Sequence, residues 1–420
     1  MVDLHLPELF GAPVGLTPAR ESEDVVQEAL RGVRTHLGME IAYLSEFVGD
    51  QTVFRAVDAP GLEDMIKPGD AQPLSEVYCQ HILDGRLPEL IPDTSANPFA
   101  YGLPITARVP IGAHVSVPIQ RRDGSVYGMF CCLSPKPNPG LNERDLNIMK
   151  MFARLAQAEV QDGMEARRMA EEAEARVRTV MSNEHFRMVF QPICDLTTNT
   201  VSGFEALCRF EADPVRSPDM WFDEAANIGL GEELELCVLE ATVGVLPIIP
   251  EPLYLSVNAG PELVATGRLK DLFADHGPER IVLEVTEHAA VRDAAQLARA
   301  LADLRTIGVR IAVDDAGAGY SGLQQIARLK PELIKLDRTL VSGIDTDQAL
   351  RALCAAVMHY TKETGALLVA EGIETEAEAE TLRELGVHRG QGWLLGKPLP
   401  LDEALATART LGPSAAGAAA

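Results

Sequence analysis

Six segments in the second half of the chain each end an apolar run with an acid, an amide or a lysine. The residues concerned are Glu205, Asn258, Glu284, Asp314 with Asp315, Lys335 and Glu371. An all-oxygen set of carboxylates and one amide suits hard divalent cations such as Mg2+ or Mn2+, and no Cys or His pair at zinc spacing accompanies it. Adjacent aspartates could bridge two ions or divide between them, as in the two-metal attack on a phosphodiester. The pattern therefore predicts a divalent-metal site suited to phosphoryl chemistry.

The lysine of this set is expected to point the same way as the acids. By strand alternation, Lys335 shares a face with Leu333 and Asp337, while Ile334 and Leu336 face the other way. A lysine among carboxylates can hold or orient an attacking water and offset developing negative charge. The crowded carboxylates would raise one another's pKa values unless a cation lay among them.

A simpler interpretation exists for each position taken alone, because an acid that follows a strand is often a helix cap or a turn residue. Asp337 could cap a helix, Glu374 could be solvated, and Lys335 could extend to solvent. The joint occurrence favours the metal site, since caps do not require acids flush against apolar strand residues.

Helix-length stretches separate the β-rich segments, which indicates repeated βα units and a mainly parallel sheet. From about Asn183 to Thr407 there is room for eight units, with FRMVFQPI (186–193) as the first and HRGQGWLL (388–395) as the last. That span is close to the roughly 250 residues of a (β/α)8 barrel. In such a barrel the C-terminal strand ends converge on one mouth, so the six segments would share one site.

Residues from about 183 to 407 resemble the EAL domain, the phosphodiesterase of bacterial cyclic di-GMP signalling. The resemblance rests on an ordered set of motifs that runs the full length of that domain. In chain order these are Gln191-Pro192-Ile193, Glu205-Ala206-Leu207 with Arg209, Ser256-Val257-Asn258, Glu284-Val285-Thr286-Glu287, Asp314-Asp315, Ile334-Lys335-Leu336-Asp337, Ala370-Glu371-Gly372-Ile373-Glu374 and Gln391-Gly392.

The resemblance implies hydrolysis of cyclic di-GMP to linear pGpG with two Mg2+ or Mn2+ ions. The implied metal ligands are Glu205, Asn258, Glu284, Asp314, Asp315 and Glu371. The implied catalytic group consists of Lys335, which would orient the water, with Gln391, Asp314 and Glu371. Arg209 would hold a substrate phosphate through its guanidinium fork. The other implied substrate contacts are Gln191, Glu205 and Leu207.

The loop after Asp315 departs from the family pattern. Ala316 and Ala318 stand where the family has Phe and Thr. The resemblance associates this loop with metal binding and dimer coupling, so the changes are expected to affect regulation and turnover more than binding. It also implies that Glu287 anchors the loop and that Glu374 supports the ligands without binding metal.

The first part of the chain, residues 21–160, resembles a GAF domain, a small α+β sensory module. The resemblance rests on the SVPI, DGSVYG and CCLSP stretches and on flanking helices, with Arg122-Asp123-Gly124 as a hairpin turn. GAF domains bind varied ligands, including cyclic nucleotides, bilins and haem. Residues 101–106 contain no cysteine, which disfavours one type of bilin attachment. Cys79 and His81 are a possible ligand or redox point, or ordinary packing residues.

A long helix is predicted from about Asn142 to Val180, because this stretch lacks proline and is dense in Ala, Glu, Arg and Met. Apolar residues four apart form an imperfect seam: Phe152, Ala156, Val160 and Met164. This seam is compatible with a parallel helix pair in a homodimer, and a solvated linker is the alternative. The predicted organisation is an extension (1–20), a GAF-like domain (21–160), a helical linker (161–182), an EAL domain (183–407) and a disordered tail (408–420).

Composition excludes several classes of protein. The 420 residues carry a net charge of -25, which argues against a nucleic-acid surface and against attraction to anionic membranes. Irregularly spaced cysteines suggest reduced thiols in a cytoplasm, and no apolar run reaches membrane-spanning length. The sequence thus predicts a cytoplasmic, GAF-regulated phosphodiesterase. The alternatives are a catalytically weak or inactive EAL receptor that binds cyclic di-GMP and signals through protein contacts, and a scaffold that only dimerises.

Overall fold

The computed structural model describes residues 20–182, 185–285, 294–316 and 322–411. The chain divides into two compact units, with the division between Met169 and Ala170. No helix among these described ranges has the length and hydropathy that crossing a membrane requires.

The first unit is built on an antiparallel sheet of six strands in the order β3-β2-β1-β6-β5-β4. Its elements are α1 (Arg20–Leu37), β1 (Ile41–Val48), β2 (Gln51–Asp58), β3 (Ala71–Pro73), α2 (Tyr78–Leu83), β4 (Leu90–Ile91), α3 (Pro98–Tyr101), α4 (Pro104–Arg108), β5 (Ala113–Gln120), β6 (Val126–Ser134) and α5 (Glu143–Ser182). The predicted hairpin is confirmed, because β5 and β6 pair across the turn in which Gly124 has a φ of 84°. The predicted α+β character of this unit is also confirmed.

The two faces of this sheet carry separate cores. Residues from α1 and α5 cover one face, where Cys132 is buried, and the segment that carries α2 to α4 covers the other, where Cys131 is buried. Successive residues of a strand point to opposite faces, so these adjacent cysteines cannot approach each other. Cys79 and His81 of α2 are buried on the α2 side, with the His81 ring 5.0 Å from that of Phe99.

The long predicted helix is confirmed as α5, which runs without interruption over 40 residues. The predicted seam does not lie free for a partner helix. Ala156 is buried in the first unit, and Phe152 and Val160 pack against the same core, because the 3.6-residue period aligns them toward the sheet. Met164, the fourth residue of the seam, is 40% exposed, and other exposed apolar side chains on this helix include Met151 (65%) and Leu155 (57%), which lie one turn apart.

The second unit is a closed eight-stranded barrel in the order β10-β11-β12-β13-β14-β7-β8-β9. Its elements are β7 (Phe186–Asp195), β8 (Thr200–Phe210), α6 (Pro218–Asn227), α7 (Gly231–Val243), β9 (Tyr254–Ala259), α8 (Pro261–Ala265), α9 (Arg268–Ala274), β10 (Ile281–Val285), α10 (Ala294–Thr306), β11 (Arg310–Ala316), α11 (Gly322–Leu329), β12 (Leu333–Leu336), α12 (Arg338–Val341), α13 (Gln348–Thr364), β13 (Leu367–Ala370), α14 (Glu376–Glu384), β14 (Arg389–Gly390) and α15 (Leu401–Leu411). The predicted eight-stranded barrel is therefore confirmed.

One detail of the predicted barrel is wrong. The first strand, β7, does not begin a βα unit, since it pairs antiparallel with both β8 and β14. Only residues 196–199 connect β7 to β8, and the carboxylate of Asp195 accepts hydrogen bonds from the backbone N–H groups of Thr197 and Thr198. A parallel neighbour needs a crossover connection of a dozen or more residues, so this short turn forces a hairpin.

The end of the second unit also differs from expectation. The predicted tail starts at residue 408, whereas α15 continues to Leu411. Leu405 and Ala408 are buried against the barrel core, so the apolar stripe of the helix extends past the predicted end. Residues 412–420 lie outside the described part of the chain.

The interior of the barrel is layered. A floor layer is formed by Ile193, Tyr254, Val282, Ala312, Leu333 and Val369, one from each of six strands. Gly203 also belongs to this level, because a Cβ atom there would lie 2.6 Å from the carbonyl oxygen of Tyr254. Ile334 and Leu336 instead pack in the core between strands and helices. The predicted alternation along β12 is therefore confirmed.

Candidate active site

The polar residues of the site form the next layer above the floor. Side chains two residues apart on a strand share a face, so each floor residue has a counterpart one step nearer the mouth. These counterparts are Gln191, Glu205, Ser256, Glu284, Asp314, Lys335 and Glu371, and Gln391 holds the same position beyond β14. The sequence patterns at eight strands thus converge on one ring of polar groups, which we call the carboxylate ring.

Lys335 lies at the centre of the carboxylate ring. Its Nζ is 2.6 Å from Glu371 Oε1, 2.7 Å from Glu284 Oε2, 3.2 Å from Asp314 Oδ1 and 3.5 Å from Glu205 Oε2. The lysine side chain is 3% exposed, so these contacts are made away from bulk water. One buried cation therefore faces four carboxylates, three of them on β8, β10 and β11 and one directly after β13.

Amides hold the carboxylate of Glu205 on its other sides. Gln391 Nε2 donates to Glu205 Oε2 at 2.6 Å, and Asn258 Nδ2 donates to Glu205 Oε1 at 3.1 Å. The same Gln391 nitrogen lies 3.0 Å from Gln191 Oε1, and Gln191 in turn donates to the carbonyl of Gly396 at 3.1 Å. The amides thus connect β7, β8, β9 and the segment after β14 into one network.

Burial and the central lysine shape the pKa values of the ring. Burial favours neutral Lys335, but the surrounding carboxylates outweigh it and hold its pKa well above the ordinary value. Burial raises the pKa of Glu284 well above its ordinary value, and the charge of Glu205 adds to this rise. Burial raises the pKa of Glu371 to about 7, against the lowering effect of Lys335. For Glu205 burial also acts upward, but Lys335 and the amide donors outweigh it and lower the pKa.

The donor set fits a hard divalent cation. All acidic donors are carboxylates, the one ammonium leaves an excess of negative charge, and Oδ1 of Asp314 is buried with the ion pair to Lys335 at 3.2 Å as its contact within the described part of the chain. In their present positions the carboxylates contact Lys335 instead of one another. Accordingly, no three His, Cys, Asp or Glu side chains within the described ranges are grouped closely enough to hold a metal ion. Metal binding would therefore require the carboxylates to turn partly away from the lysine.

A cavity of about 490 Å3 adjoins the ring. It is lined by Glu205, Asn258 and Asp314 from the ring side and by Leu207 and Arg209 of β8. The Arg209 guanidinium is half-buried and donates to the carbonyl of Cys208 at 2.8 Å, which leaves most of its N–H groups for a ligand. Of the residues predicted for substrate, Glu205, Leu207 and Arg209 line this cavity, and of the predicted metal ligands Glu205, Asn258 and Asp314 do so.

Several predicted residues lie elsewhere. Glu374 is exposed and pairs with Arg338 at 2.8 Å, away from the ring. Asp337 caps α12 by accepting from the backbone N–H of Thr339 at 2.9 Å, so the simpler interpretation is correct for this acid. Glu287 and Ala318 lie outside the described residues, as do the side chains of Asp315 and Ala316.

Two residues of the site were not predicted from the sequence. Ser256 donates to Glu284 Oε1 at 2.5 Å and thereby orients the carboxylate that contacts Lys335. Glu235 of α7 lines the cavity and accepts from the backbone N–H of Gly260 at 2.7 Å. Burial raises the pKa of Glu235 despite that hydrogen bond. The available signal was an acid inside the apolar stripe of α7, one turn before Leu239.

The barrel and its ring of carboxylates define the class of protein. The sequence model of the EAL domain matches residues 174–398, more than half of the chain, and the chain belongs to this family. The sequence model of the GAF domain matches residues 21–160.

Individual relatives cover the EAL part. An uncharacterized protein of Mycobacterium tuberculosis is 31% identical over 241 residues, which are 54% of this chain and 38% of that protein. The probable cyclic di-GMP phosphodiesterase PdeN of Escherichia coli is 29% identical over 242 residues, 54% of this chain and 46% of that protein. The chain therefore spans less than half the length of these relatives. The phosphodiesterase PaMucR, solved in complex with c-di-GMP, is 28% identical with a TM-score of 0.50, covering 56% of this chain and 99% of that one.

Proposed function

We propose that the second unit hydrolyses cyclic di-GMP to linear pGpG and that the GAF domain regulates this reaction. The observation that carries the proposal is the carboxylate ring, in which Lys335 Nζ lies within 3.5 Å of four carboxylates beside an open cavity. The similarity to proteins named as cyclic di-GMP phosphodiesterases supports the choice of substrate.

The residues that would hold the metal are Glu205, Asn258, Glu284, Asp314, Asp315 and Glu371. Two Mg2+ or Mn2+ ions would supply an activated water and charge neutralisation at the scissile phosphate. Gln391 keeps Glu205 oriented through its 2.6 Å hydrogen bond, and Ser256 does the same for Glu284. Asn258 would have to turn its amide oxygen inward, since its nitrogen faces Glu205.

Lys335 would act on the attacking water and on the phosphate oxygens. Its pKa is raised by the surrounding carboxylates, so it stays charged and donates hydrogen bonds throughout the reaction. An ammonium that is held in place before the reaction stabilises developing negative charge without reorganisation. We therefore assign it a role in turnover more than in substrate affinity.

The cavity offers complementary groups for a guanine nucleotide. Arg209 presents a fork of N–H donors suited to a phosphate. Glu235 lines the same cavity, and its carboxylate can accept hydrogen bonds. The Watson-Crick edge of guanine carries N–H groups that could donate these hydrogen bonds. Leu207 supplies an apolar surface against which a base can pack. We propose that these three side chains contact the substrate.

We further propose that the protein acts as a homodimer. Met151 and Leu155 are exposed one turn apart on α5, and large apolar side chains so placed favour association. Three residues of the predicted seam, Phe152, Ala156 and Val160, already pack inside the first unit and would not form the contact, whereas the fourth, Met164, is exposed.

The decisive experiment is chromatographic. Purified protein is incubated with cyclic di-GMP and Mg2+ or Mn2+, beside an EDTA control and the Glu205→Ala variant. We expect metal-dependent pGpG from the native protein alone. Tight binding of cyclic di-GMP without any product would contradict hydrolysis and would support the receptor alternative.

A further inference from the structure

Two arginines and a tyrosine meet at the end of the barrel opposite the carboxylate ring. Tyr254 of β9 belongs to the floor layer, and Arg389 of β14 lies at the same level, because Gln391 two residues later is level with the ring. Arg310 of β11 lies one level lower, since Ala312 belongs to the floor. The guanidinium carbons of Arg310 and Arg389 are 4.9 Å and 5.0 Å from the centre of the Tyr254 ring. We call these three residues the lower cluster.

The lower cluster contains hydrogen-bond donors that lack an acceptor. Nη1 of Arg389 and the hydroxyl of Tyr254 are buried and have no hydrogen-bond partner among the described residues. Arg389 is 5% exposed and Tyr254 is 2% exposed. Neither Arg310 nor Arg389 forms an ion pair within the described ranges. The attraction of a cation to an aromatic ring supplies no acceptor for its N–H groups, so these donors are still unsatisfied.

The carboxylates nearest to the lower cluster are already engaged. Asp195 is the strand partner of Arg389, but its carboxylate accepts hydrogen bonds from backbone N–H groups of the turn between β7 and β8. Glu332 is near Arg310 but pairs with Arg305 at 2.8 Å. The counter-charge of the cluster must therefore come from outside the described chain.

The protonation states of the lower cluster also favour an anion. Burial lowers the pKa of Arg310, and the positive charge of Arg389 acts in the same direction. Burial raises the pKa of Tyr254 against the opposing effect of the two arginines, so its hydroxyl keeps its proton and can donate. Two cations and one hydroxyl thus face one another without an acceptor. Because a buried charge without a partner is costly, an anion bound between them would relieve that cost.

The directions of the donors favour a tetrahedral oxyanion. The three side chains come from β9, β11 and β14, which are spaced around the closed barrel and send their side chains toward its axis. An anion with oxygens on several sides can accept from all three, whereas a single chloride ion has only one centre. Guanidinium groups match phosphate oxygens in pairs. The floor layer closes the cluster from above, so the anion must be small and must enter beside the half-buried Arg310.

We propose that the lower cluster binds a small inorganic oxyanion of the phosphate type, held by Arg310, Arg389 and the hydroxyl of Tyr254. This site is separate from the 490 Å3 cavity beside the carboxylate ring, which none of the three residues lines. The proposal goes beyond the hydrolase activity and does not depend on it.

The test is a titration of the full-length protein in EDTA, in which phosphate replaces chloride at constant ionic strength. Tyrosine labelled with 13C at Cζ reports on the site, because the chain has seven tyrosines and the resonance missing from Tyr254→Phe belongs to Tyr254. We expect phosphate to shift this resonance in a saturable way. Arg310→Gln removes a charged donor and should weaken phosphate binding about tenfold or more.

Two controls and one conservative variant complete the test. Arg268→Gln, at an exposed position on α9, removes the same charge elsewhere and should leave the affinity unchanged. Arg209→Gln should also leave the Tyr254 shift unchanged, which distinguishes the lower cluster from phosphate bound in the 490 Å3 cavity. Arg310→Lys keeps the charge without the fork, and its affinity should lie between those of the native protein and Arg310→Gln. It also provides the comparison if Arg310→Gln does not fold.

Three outcomes would overturn the proposal. A Tyr254 resonance that does not shift with phosphate would show that water alone satisfies the donors. An equal shift with chloride alone would show a general effect of ions. Native affinity in the folded Arg310 variants would show that this guanidinium is not a contact. Neither cyclic di-GMP nor a metal ion is present in the titration, so none of these results bears on the proposed hydrolysis.

Discussion

The carboxylate ring of the second unit and a cavity of the first unit, lined by Thr52 and His114 among others, both have polar side chains on the inner face of a sheet, but these side chains differ in whether they have charged or hydrogen-bonded partners. In the ring, Lys335 contacts four carboxylates and amides hold Glu205, so charged groups stabilise one another. In the cavity, Thr52 Oγ1 and His114 Nδ1 are buried and have no hydrogen-bond partner among the described residues. Charges cannot be left unpaired in a protein interior, whereas a neutral hydroxyl or imidazole can be, at a smaller cost.

The difference indicates how firmly the polar groups of each site are held. The carboxylates of the ring contact Lys335, so a metal ion would share these carboxylates with the lysine. Thr52 Oγ1 and His114 Nδ1 in the cavity take part in no ion pair or hydrogen bond of this kind within the described residues. We therefore expect substitutions in the ring to change stability and activity strongly, and substitutions in the cavity to have smaller effects.

The largest expected effect is that of removing the central cation. Lys335→Met leaves four buried carboxylates without their shared partner, and should lower the free energy of unfolding in EDTA by about 3–5 kcal/mol. Denaturant unfolding followed by the fluorescence of buried Trp221 measures this change within the second unit. Lys362→Met, at an exposed position on α13, is the control. Equal stability of the two variants would contradict the role of Lys335 as the counter-charge.

A smaller effect is expected from the serine behind the ring. Ser256→Ala frees Glu284 from its 2.5 Å hydrogen bond and should reduce Mn2+ affinity and turnover by about tenfold, as loss of a hydrogen bond to a metal ligand generally does. Electron paramagnetic resonance of free Mn2+ gives the affinity independently of activity. Ser202→Ala is the matched control, because the hydroxyl of this buried serine has no hydrogen-bond partner among the residues that the structure describes. Similar losses in both variants would indicate a packing effect.

We expect the buried His114 to make the stability of the first unit depend on pH. The pKa of His114 is about 3 in the folded protein, below its ordinary value near 6.5, so unfolding takes up a proton between these values. Its contribution to stability is full above pH 6.5 and is lost as the pH falls toward 3. From pH 7.5 to 5.5 the native protein should lose about 1.4 kcal/mol that His114→Gln does not lose.

Hydrogen exchange of β5 and β6 amides measures this difference in the first unit. His36→Gln, at an exposed position on α1, is the control and should follow the native pH dependence. If His114→Gln also follows it, burial of a neutral imidazole is not the cause.

The smallest effect is expected for Asp337, an acid that lies close to Lys335 in the sequence but is not part of the carboxylate ring. Asp337 follows Lys335 on the same strand end but caps α12. Asp337→Ala should lower the unfolding free energy by about 1 kcal/mol and leave turnover unchanged. Thermal unfolding and initial rates measured on the same sample decide this. A large loss of turnover would place Asp337 in the site after all.

The features that were predicted correctly follow from the two-residue period of strands and from the spacing of acids along the chain. Strand alternation put Lys335 inside the barrel, and acids at strand ends located the ring. The antiparallel β7 was missed, although the four-residue connection to β8 already required it. Ser256 and Glu235 were missed because a single serine in a buried strand, or one acid on a helix, has no pattern of its own. The seam on α5 was predicted from its period, but period alone does not say which surface covers it.

The floor layer of the barrel also determines the route by which substrate and product can reach and leave the site. Tyr254, Val282 and Leu333 close the interior below the ring, and a side chain at Gly203 would collide with Tyr254. Nothing can pass through the barrel to its other end. In the proposed reaction, the substrate, the metal ions and the product would therefore all enter and leave through the same mouth of the barrel. The linear product would block the entrance until it departs, so its accumulation should slow the enzyme by competing directly with the incoming cyclic dinucleotide.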